Sequence, residues 1–169
     1  IINPVLGGKK EGDFLSDPIM KSYQLLFEGG VYPEGRAVLG GFSTYSRYCG
    51  PREAVFTALC RKNMGCSFFV IGRDHTGVGD FYGPDGNRRL FDEIGNIGVT
   101  PVYFDAIGYD ADTDEYCSLD KAQNVESISA TRLREALAKR ESVPEWFIRQ
   151  PIQDMLLSEI LAGHEIFHS

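Results

Sequence analysis

The residues best suited to chemistry in this sequence stand together at positions 72–79, which read GRDHTGVG. Arg73 carries a planar guanidinium that can donate paired hydrogen bonds to phosphate or sulfate oxygens. His75 can donate to an anion or titrate near neutral pH, and Asp74 could orient either neighbour. The glycines let the backbone approach a ligand and expose its N–H groups. The segment predicts an anion-binding loop, and a surface turn closed by an Arg73–Asp74 pair is the alternative.

The position of this loop in the chain indicates ligand binding more strongly than the spacing of its glycines does. It contains neither G-x-x-x-x-G-K-[ST] nor G-x-G-x-x-G, the two common phosphate-binding patterns. It directly follows the apolar run 66–72, CSFFVIG, which is typical of a parallel strand covered on both faces. Open α/β sheets bind ligands outside the carboxyl ends of their strands. We therefore expect the loop to lie at the ligand-binding edge of a sheet.

The elements around the loop alternate between strand and helix patterns. Helix patterns at about 16–28, 51–64 and 88–94 are each followed by an apolar run of strand length, at 36–42, 66–72 and 99–104 respectively. This alternation predicts a doubly wound α/β sheet. In the second helix, the spacing places Val55, Leu59 and Met64 on the buried side.

The composition and the predicted secondary structure of the chain change after residue 104. An acidic, turn-like stretch extends to residue 120, and helix patterns follow at 127–140 and 153–161. We therefore predict an α/β domain over 1–104 and a smaller, mostly helical subdomain over 105–169.

Other polar groups have simpler interpretations. Ser129 and Thr131 precede a helix, where they could bind a phosphate but where helix capping is favoured. His164 and His168 lie four residues apart, but a glycine interrupts the helix before them. The carboxylates within 110–115 resemble a calcium loop, yet the position that requires glycine holds glutamate. They are interpreted as a solvated acidic turn.

Composition narrows the class of protein. The 169 residues are 43% hydrophobic and 24% charged, which is typical of a globular domain and excludes collagen, coiled coil and disorder. The net charge of −7 argues against nucleic-acid binding. No apolar run approaches the ~20 residues that cross a bilayer, so no membrane partner is expected. The four cysteines form no C-x-x-C pair, which predicts free thiols in a cytoplasmic protein.

Several segments together resemble the ATP sulfurylase (sulfate adenylyltransferase) family. The matching segments are NPVLGGKKEGD at 3–13, GPREAVFTALCRKNMGCSFFVIGRDH at 50–75, GRDHTGVGDFYG at 72–83 and ISATRLREALAKRESVPEWFIR at 128–149. They resemble the family's HP-x-x-G-x-x-K-x-GD, GGPREA…RKN-x-G…GRDH and ISGT-x-LR…PEWF-x-R blocks, in order along the chain. Asn3 replaces the usual histidine, and Ala130 replaces a glycine.

The resemblance implies the transfer of an adenylyl group from MgATP to sulfate, giving adenosine 5′-phosphosulfate and pyrophosphate reversibly. It also implies that residues 1–104 are the C-terminal part of a Rossmann-like nucleotidyltransferase sheet, and that a bacterial-type enzyme assembles into homo-oligomers. The implied site residues are Arg73 and His75 in catalysis; Gly72, Arg73, Asp74, His75 and Ile107 in ATP binding; Thr76, through its backbone N–H, in sulfate binding; and Phe104 at a neighbouring position.

The sequence departs from the family pattern in two places, and each departure leads to a further prediction. The family motif Q-x-R-N-P-x-H-x-x-H, which lies upstream of the HP segment, is not in this sequence, so we expect a fragment that is inactive alone. Of the zinc ligands found in some relatives only Cys117 is present, so no zinc is expected. The resemblance implies Mg²⁺ as the cofactor that accompanies ATP.

Two alternatives remain open. One is a nucleotide- or anion-binding module that has lost catalysis. The weaker one is a metal-dependent phosphoesterase using Asp74 and His75, which would need more ligands than this loop offers.

Overall fold

The structure, a computed structural model, describes residues 1–72, 81–83, 85–119, 125–127 and 129–169. The chain divides into two compact units, Ile1–Ser46 with Ile128–Ser169, and Arg47–Ser127. These units differ from the division after residue 104 that the sequence suggests, which stays a prediction. None of the described helices combines the length and the apolar character of a membrane span.

The described helices and strands alternate along much of the chain. In order they are α1 (Ser16–Glu28), α2 (Pro51–Asn63), β1 (Phe68–Ile71), α3 (Gly86–Ile94), β2 (Thr100–Tyr103), β3 (Ile107–Asp110), β4 (Glu115–Ser118), β5 (Val125–Ser127), α4 (Ala130–Ala138) and α5 (Gln150–Leu161).

The second unit contains a β–α–β arrangement that confirms the predicted α/β class. Strands β1 and β2 pair in parallel, with Phe68 opposite Thr100 and Ile71 opposite Tyr103. Parallel neighbours need a crossover connection, and the described part of that connection contains α3. A separate antiparallel sheet has the order β4–β3–β5.

Helix α2 buries a different face from the one predicted. Ala54 and Ala58 are fully buried, whereas Leu59 is 37% and Met64 48% exposed. The prediction that Leu59 and Met64 are buried is therefore wrong, while Val55 does pack against the core. The physical reason is side-chain size, because two alanines four residues apart let the helix backbone approach β1 closely.

The run at 36–42 is not a strand, contrary to expectation. It forms only isolated parallel bridges, from Leu39 to Ile2 and from Phe42 to Val5. Two adjacent glycines interrupt the run, and glycine weakens a strand because it supplies no side chain to pack and loses more entropy on ordering.

The acidic stretch after residue 105 is a β-hairpin rather than a turn-rich loop. Strands β3 and β4 pair antiparallel, and the Tyr109 and Tyr116 rings meet with centroids 5.8 Å apart. The acidic residues of 111–114 occupy the hairpin turn, where the Asp112 N–H donates to the Asp110 carboxylate at 2.9 Å. Each strand is only four residues long and contains a carboxylate, so the local sequence shows no clear strand pattern and this small sheet was not predicted.

The first unit has its own apolar core. Its buried members are Leu137 from α4, Ile152 and Leu156 from α5, and Ile166. Gln153 is only 2% exposed. Its side chain accepts from the Val143 N–H and donates to two backbone carbonyls, which ties the segment before α5 to that helix.

We expect Glu53→Gln to destabilise the chain by about 1–3 kcal/mol. The carboxylate of Glu53 is 5% exposed and accepts from the backbone N–H groups of Arg47 and Cys49, at 2.9–3.1 Å. Glutamine would replace one acceptor oxygen with a donor that faces those N–H groups. Urea unfolding, monitored by circular dichroism, measures the decrease in the free energy of unfolding.

The matched control is Glu93→Gln, which makes the same change at an exposed position of α3. It should change the free energy of unfolding by less than about 0.5 kcal/mol. Equal effects of the two substitutions would contradict the role assigned to Glu53.

Candidate active site

The carboxyl ends of β1 and β2 lie side by side and place the residues that follow them together. The Phe104 N–H donates to the Ile71 carbonyl at 3.0 Å, so the parallel pairing continues to the last residue of β1. Gly72 and Phe104 therefore leave the sheet at the same edge. This is the edge at which α/β sheets bind ligands.

A cavity of about 210 Å³ opens at this edge. Its walls come from the ends of both strands, from the start of α3 and from the chain after β2. The lining residues are Ile71, Gly72, Asp85, Asn87, Arg88, Tyr103, Phe104, Asp105 and Ala106.

Two of the lining residues each have a polar side-chain atom that is buried without a hydrogen-bond partner among the described residues. These atoms are the side-chain oxygen of Asn87 and the hydroxyl of Tyr103. Asn87 is 7% exposed and lies in the first turn of α3. Native proteins satisfy the great majority of such groups, and each exception needs an explanation.

The Tyr103 ring is held in place from two sides. The Arg88 guanidinium lies over the ring at 4.4 Å from its centroid, and the Phe91 ring meets it edge-on at 6.5 Å. Burial raises the pKa of the Tyr103 phenol, the Asp92 carboxylate raises it further, and Arg88 opposes both. The phenol is therefore neutral at physiological pH and able to donate a hydrogen bond.

A second cavity of about 230 Å³ adjoins the first and shares Phe104 and Asp105 with it. Its other lining residues are Ile107, Tyr116, Cys117 and Ser118, all from β3 and β4. Phe104 is 50% and Ile107 47% exposed. Two exposed apolar side chains beside a cavity suit the face of an aromatic ring.

Gly72, Phe104 and Ile107, three of the site residues predicted from the sequence, line these adjacent cavities. Arg73, Asp74, His75 and Thr76 lie outside the described residues.

Asn87 and Tyr103 were missed by the sequence analysis. An asparagine early in a helix resembles an ordinary capping residue, and a tyrosine in a strand resembles an ordinary core residue. Their unpaired polar atoms are visible only in three dimensions.

The remaining sequence candidates have structural roles. The Ser129 hydroxyl accepts from the Arg132 N–H at 3.3 Å, which confirms helix capping. His164 contacts the Glu159 carboxylate at 2.6 Å, and Glu159 also binds Lys21 at 2.7 Å. The four cysteines are free, as predicted. Within the described ranges, no three His, Cys, Asp or Glu side chains form a group that could hold a metal ion.

A larger cavity in the first unit has a different character. Its volume is about 430 Å³, and its walls are mostly apolar side chains from α1, α4, α5 and the segments beside them. Among the described residues of its lining, only Lys9 is charged. Burial lowers the pKa of this lysine, and Asp13 partly offsets the effect. The predicted site residues that the structure describes, Gly72, Phe104 and Ile107, line the two cavities of the second unit instead.

Comparison with known structures supports an α/β fold. The chain is similar to a structure described as "Hexameric APS kinase from Thiobacillus denitrificans", with a TM-score of 0.65 and 18% identity. The match covers 94% of this chain and 31% of that chain. At this identity the similarity concerns the fold alone.

Curated proteins named sulfate adenylyltransferase are similar in sequence. The one from Pyrococcus abyssi is 40% identical over 162 residues, which cover 93% of this chain and 42% of that protein. The one from Symbiobacterium thermophilum is 38% identical over 171 residues, which cover 96% of this chain and 43% of that protein. The chain thus spans about two fifths of the length of these relatives.

The sequence model of the ATP-sulfurylase family matches residues 1–159, which include both cavities and the segment between β1 and α3. A match over nearly the whole chain is far more specific than any single motif in it. The chain belongs to the ATP-sulfurylase family.

Proposed function

We propose that this chain is part of a sulfate adenylyltransferase, which transfers the adenylyl group of MgATP to sulfate. The observation that carries this proposal is the family match over residues 1–159. The cavities at the carboxyl ends of β1 and β2 support it, because they lie where an α/β sheet binds a nucleotide. The relatives from Pyrococcus abyssi and Symbiobacterium thermophilum, which bear this name, match across 93% and 96% of the chain.

The proposed reaction joins two anions. A sulfate oxygen forms a bond to the α-phosphorus of ATP while the bond from that phosphorus to the bridging oxygen breaks, so pyrophosphate leaves and adenosine 5′-phosphosulfate remains. Sulfate has no proton to lose at pH 7, and no general base is needed. The protein must align the reactants and stabilise the charge at the α-phosphorus.

The loop after Gly72 would supply that stabilisation. Arg73 suits paired contacts to phosphate oxygens, and His75 acts as a donor to phosphate rather than as a base. The Thr76 backbone N–H would bind sulfate. We assign Asp74 to ATP binding as well, since it belongs to the same family segment.

The nucleoside side of ATP would lie against the described cavities. Gly72 allows close approach at the end of β1, and Ile107 would contact the adenine ring, with Phe104 beside it. Magnesium enters as part of the MgATP substrate, because Mg²⁺ keeps several waters and is bound mainly through the phosphates.

We further propose that the complete enzyme forms homo-oligomers in the cytoplasm. The structural neighbour from Thiobacillus denitrificans is described as hexameric. Four free cysteines are consistent with a reducing compartment. The division into 1–104 and 105–169 remains our proposal for the domains of that enzyme.

A chimaeric enzyme tests the proposed function. In the Pyrococcus abyssi relative, the segment aligned with this chain is replaced by the 169-residue chain. We expect the chimaera to form ATP from adenosine 5′-phosphosulfate and pyrophosphate, measured by a coupled luminescence assay. The 169-residue chain alone should show no turnover, because the motif Q-x-R-N-P-x-H-x-x-H is not in its sequence.

Two results would contradict parts of this proposal. Turnover by the 169-residue chain alone would show that the upstream motif is dispensable. A folded chimaera that binds ATP but makes no product would favour the alternative, a nucleotide-binding module that has lost catalysis. Circular dichroism and thermal melting of the chimaera establish that it is folded.

A further inference from the structure

We infer that Tyr82 is a positioning residue for the proposed reaction. Its ring lies in a slot formed by Gly50, Pro51 and Gly86, and it fixes one end of the segment that contains the proposed catalytic groups. This inference rests on the proposed function, because those groups act only in that reaction. Tyr82 lines neither of the two cavities of the second unit, so its role is distinct from substrate contact.

The first wall of the slot is the backbone of Gly50, the residue that precedes α2. Gly50 is buried, and a Cβ built on it would lie 2.3 Å from Cδ2 and 2.6 Å from Cε2 of Tyr82. The Tyr82 ring therefore occupies the volume that a side chain at position 50 would fill. Such a close approach requires a backbone without a Cβ, which glycine provides.

The second wall comes from Gly86, the first residue of α3, and from Pro51, the first residue of α2. A Cβ on the buried Gly86 would lie 3.1 Å from Cγ of Pro51 and 3.5 Å from Cβ of Tyr82. The starts of the two helices thus lie close together, and the Tyr82 side chain lies beside both. Glu53 stabilises one side of the slot, because its carboxylate holds the backbone just before Gly50.

The neighbouring aromatic residue has a different environment. Phe81 is 82% exposed, and its ring meets the Tyr82 ring edge-on with centroids 4.9 Å apart. On the other side of Tyr82, the Gly86 N–H donates to the Gly83 carbonyl at 3.3 Å, which ties the next residue to the start of α3. Of the two adjacent rings, that of Tyr82 is therefore the one held between the helix starts.

The two residues that flank the segment 73–81 decide how precisely it can place its side chains. The N-terminal flank is held by the sheet, since the Phe104 N–H donates to the Ile71 carbonyl at 3.0 Å. The C-terminal flank is held by Tyr82. Catalytic groups must be placed within about 0.5 Å of their productive geometry, and release of one flank increases the number of conformations open to the chain. Loss of the Tyr82 ring should therefore reduce catalysis without removing a catalytic group.

The kinetic experiment uses the active chimaera. Tyr82→Ala should lower kcat for ATP formation by about 10–100-fold, with a smaller change in KM, because misplaced groups stabilise the transition state less. Tyr82→Phe keeps the ring and should retain kcat within about threefold. If the alanine variant does not fold, Tyr82→Leu takes its place, and its loss of kcat should lie between those of the other two.

A double-mutant cycle separates positioning from a purely structural role. Because Tyr82 acts through the segment, Tyr82→Ala should lower kcat by less than about threefold in a chimaera that already carries Arg73→Ala. The matched control is Tyr32→Ala, which removes another half-buried tyrosine, whose ring packs against Phe27 with centroids 4.8 Å apart. Both alanine variants should lower Tm, but Tyr32→Ala should change kcat by less than about twofold.

Hydrogen exchange measured by mass spectrometry tests the holding of the segment without any turnover. In the 169-residue chain, Tyr82→Ala should raise the exchange rate of the backbone amides of 73–81 about tenfold, whereas Tyr32→Ala should leave it unchanged.

The inference is overturned if Tyr82→Ala retains full kcat, if its effect is undiminished in the Arg73→Ala background, or if hydrogen exchange in 73–81 does not change. An active chimaera that tolerates Tyr82→Ala rejects this inference and leaves the proposed function standing. An inactive chimaera without further substitutions would instead reject the proposed function, and hydrogen exchange would still decide whether Tyr82 holds the segment.

Discussion

Replacing Gly50 with alanine is expected to destabilise the chain by about 3–5 kcal/mol, which would unfold much of a marginally stable domain. Gly50 precedes α2 with φ 52° and ψ −121°, a conformation that L-residues rarely adopt. A Cβ at this position would also lie 2.3 Å from the Tyr82 ring. The ring therefore has to move, and the backbone strain remains after it does.

Two glycine controls separate these costs. Gly35 has φ 70° but open space where a Cβ would lie, so Gly35→Ala should cost about 1 kcal/mol from backbone conformation alone. Gly8 has neither feature, and Gly8→Ala should change stability by less than about 0.5 kcal/mol. Urea unfolding of the three variants measures their free energies of unfolding and so tests this ranking. If Gly50→Ala were as stable as Gly8→Ala, the strain and the close approach of Tyr82 that we assign to Gly50 would be contradicted.

Replacing Arg73 with alanine is expected to lower kcat/KM of the active chimaera by about 10²–10³-fold. Arg73 follows Gly72, which lines the cavity at the end of β1. In the proposed reaction its guanidinium stabilises charge that develops as pyrophosphate leaves, so the loss should fall mainly on kcat. Arg73→Lys should recover only part of the rate, because an ammonium cannot make two parallel contacts.

The control for Arg73→Ala removes an arginine from an exposed position. Arg89 lies on α3, is exposed and does not line the cavity. Arg89→Ala changes the net charge equally and should change kcat/KM by less than about threefold. A similar loss in both variants would show that overall charge, and not a specific contact, explains the effect.

The prediction of helices from the sequence succeeded where a local signal was strong. The helix predicted at about 16–28 is observed as α1, with Pro18 in its first turn and Gly29 at its end, although no side chain caps its start. Pro51 opens α2 in the same way. These signals depend mainly on backbone geometry within a few residues, which is why the local sequence predicts them well.

The prediction of strands was less reliable for a physical reason. A strand is stabilised by a partner that the local sequence does not reveal. The run at 36–42 is apolar but makes only isolated bridges, whereas β3 and β4 form a hairpin within a stretch rich in carboxylates. Neither result could be derived from hydrophobic periodicity alone.

The sequence alone was sufficient to assign the family and the α/β class, and it predicts an anion-binding loop after the apolar run 66–72. Those properties depend on contiguous residues, above all on 50–75, so they can be recognised in the linear sequence. That Asn87, Tyr103 and Gly72 line one cavity is seen only in the three-dimensional fold. The burial of the Asn87 side-chain oxygen and the Tyr103 hydroxyl depends on how β1, β2 and α3 pack against one another, and no single one of these segments reveals it.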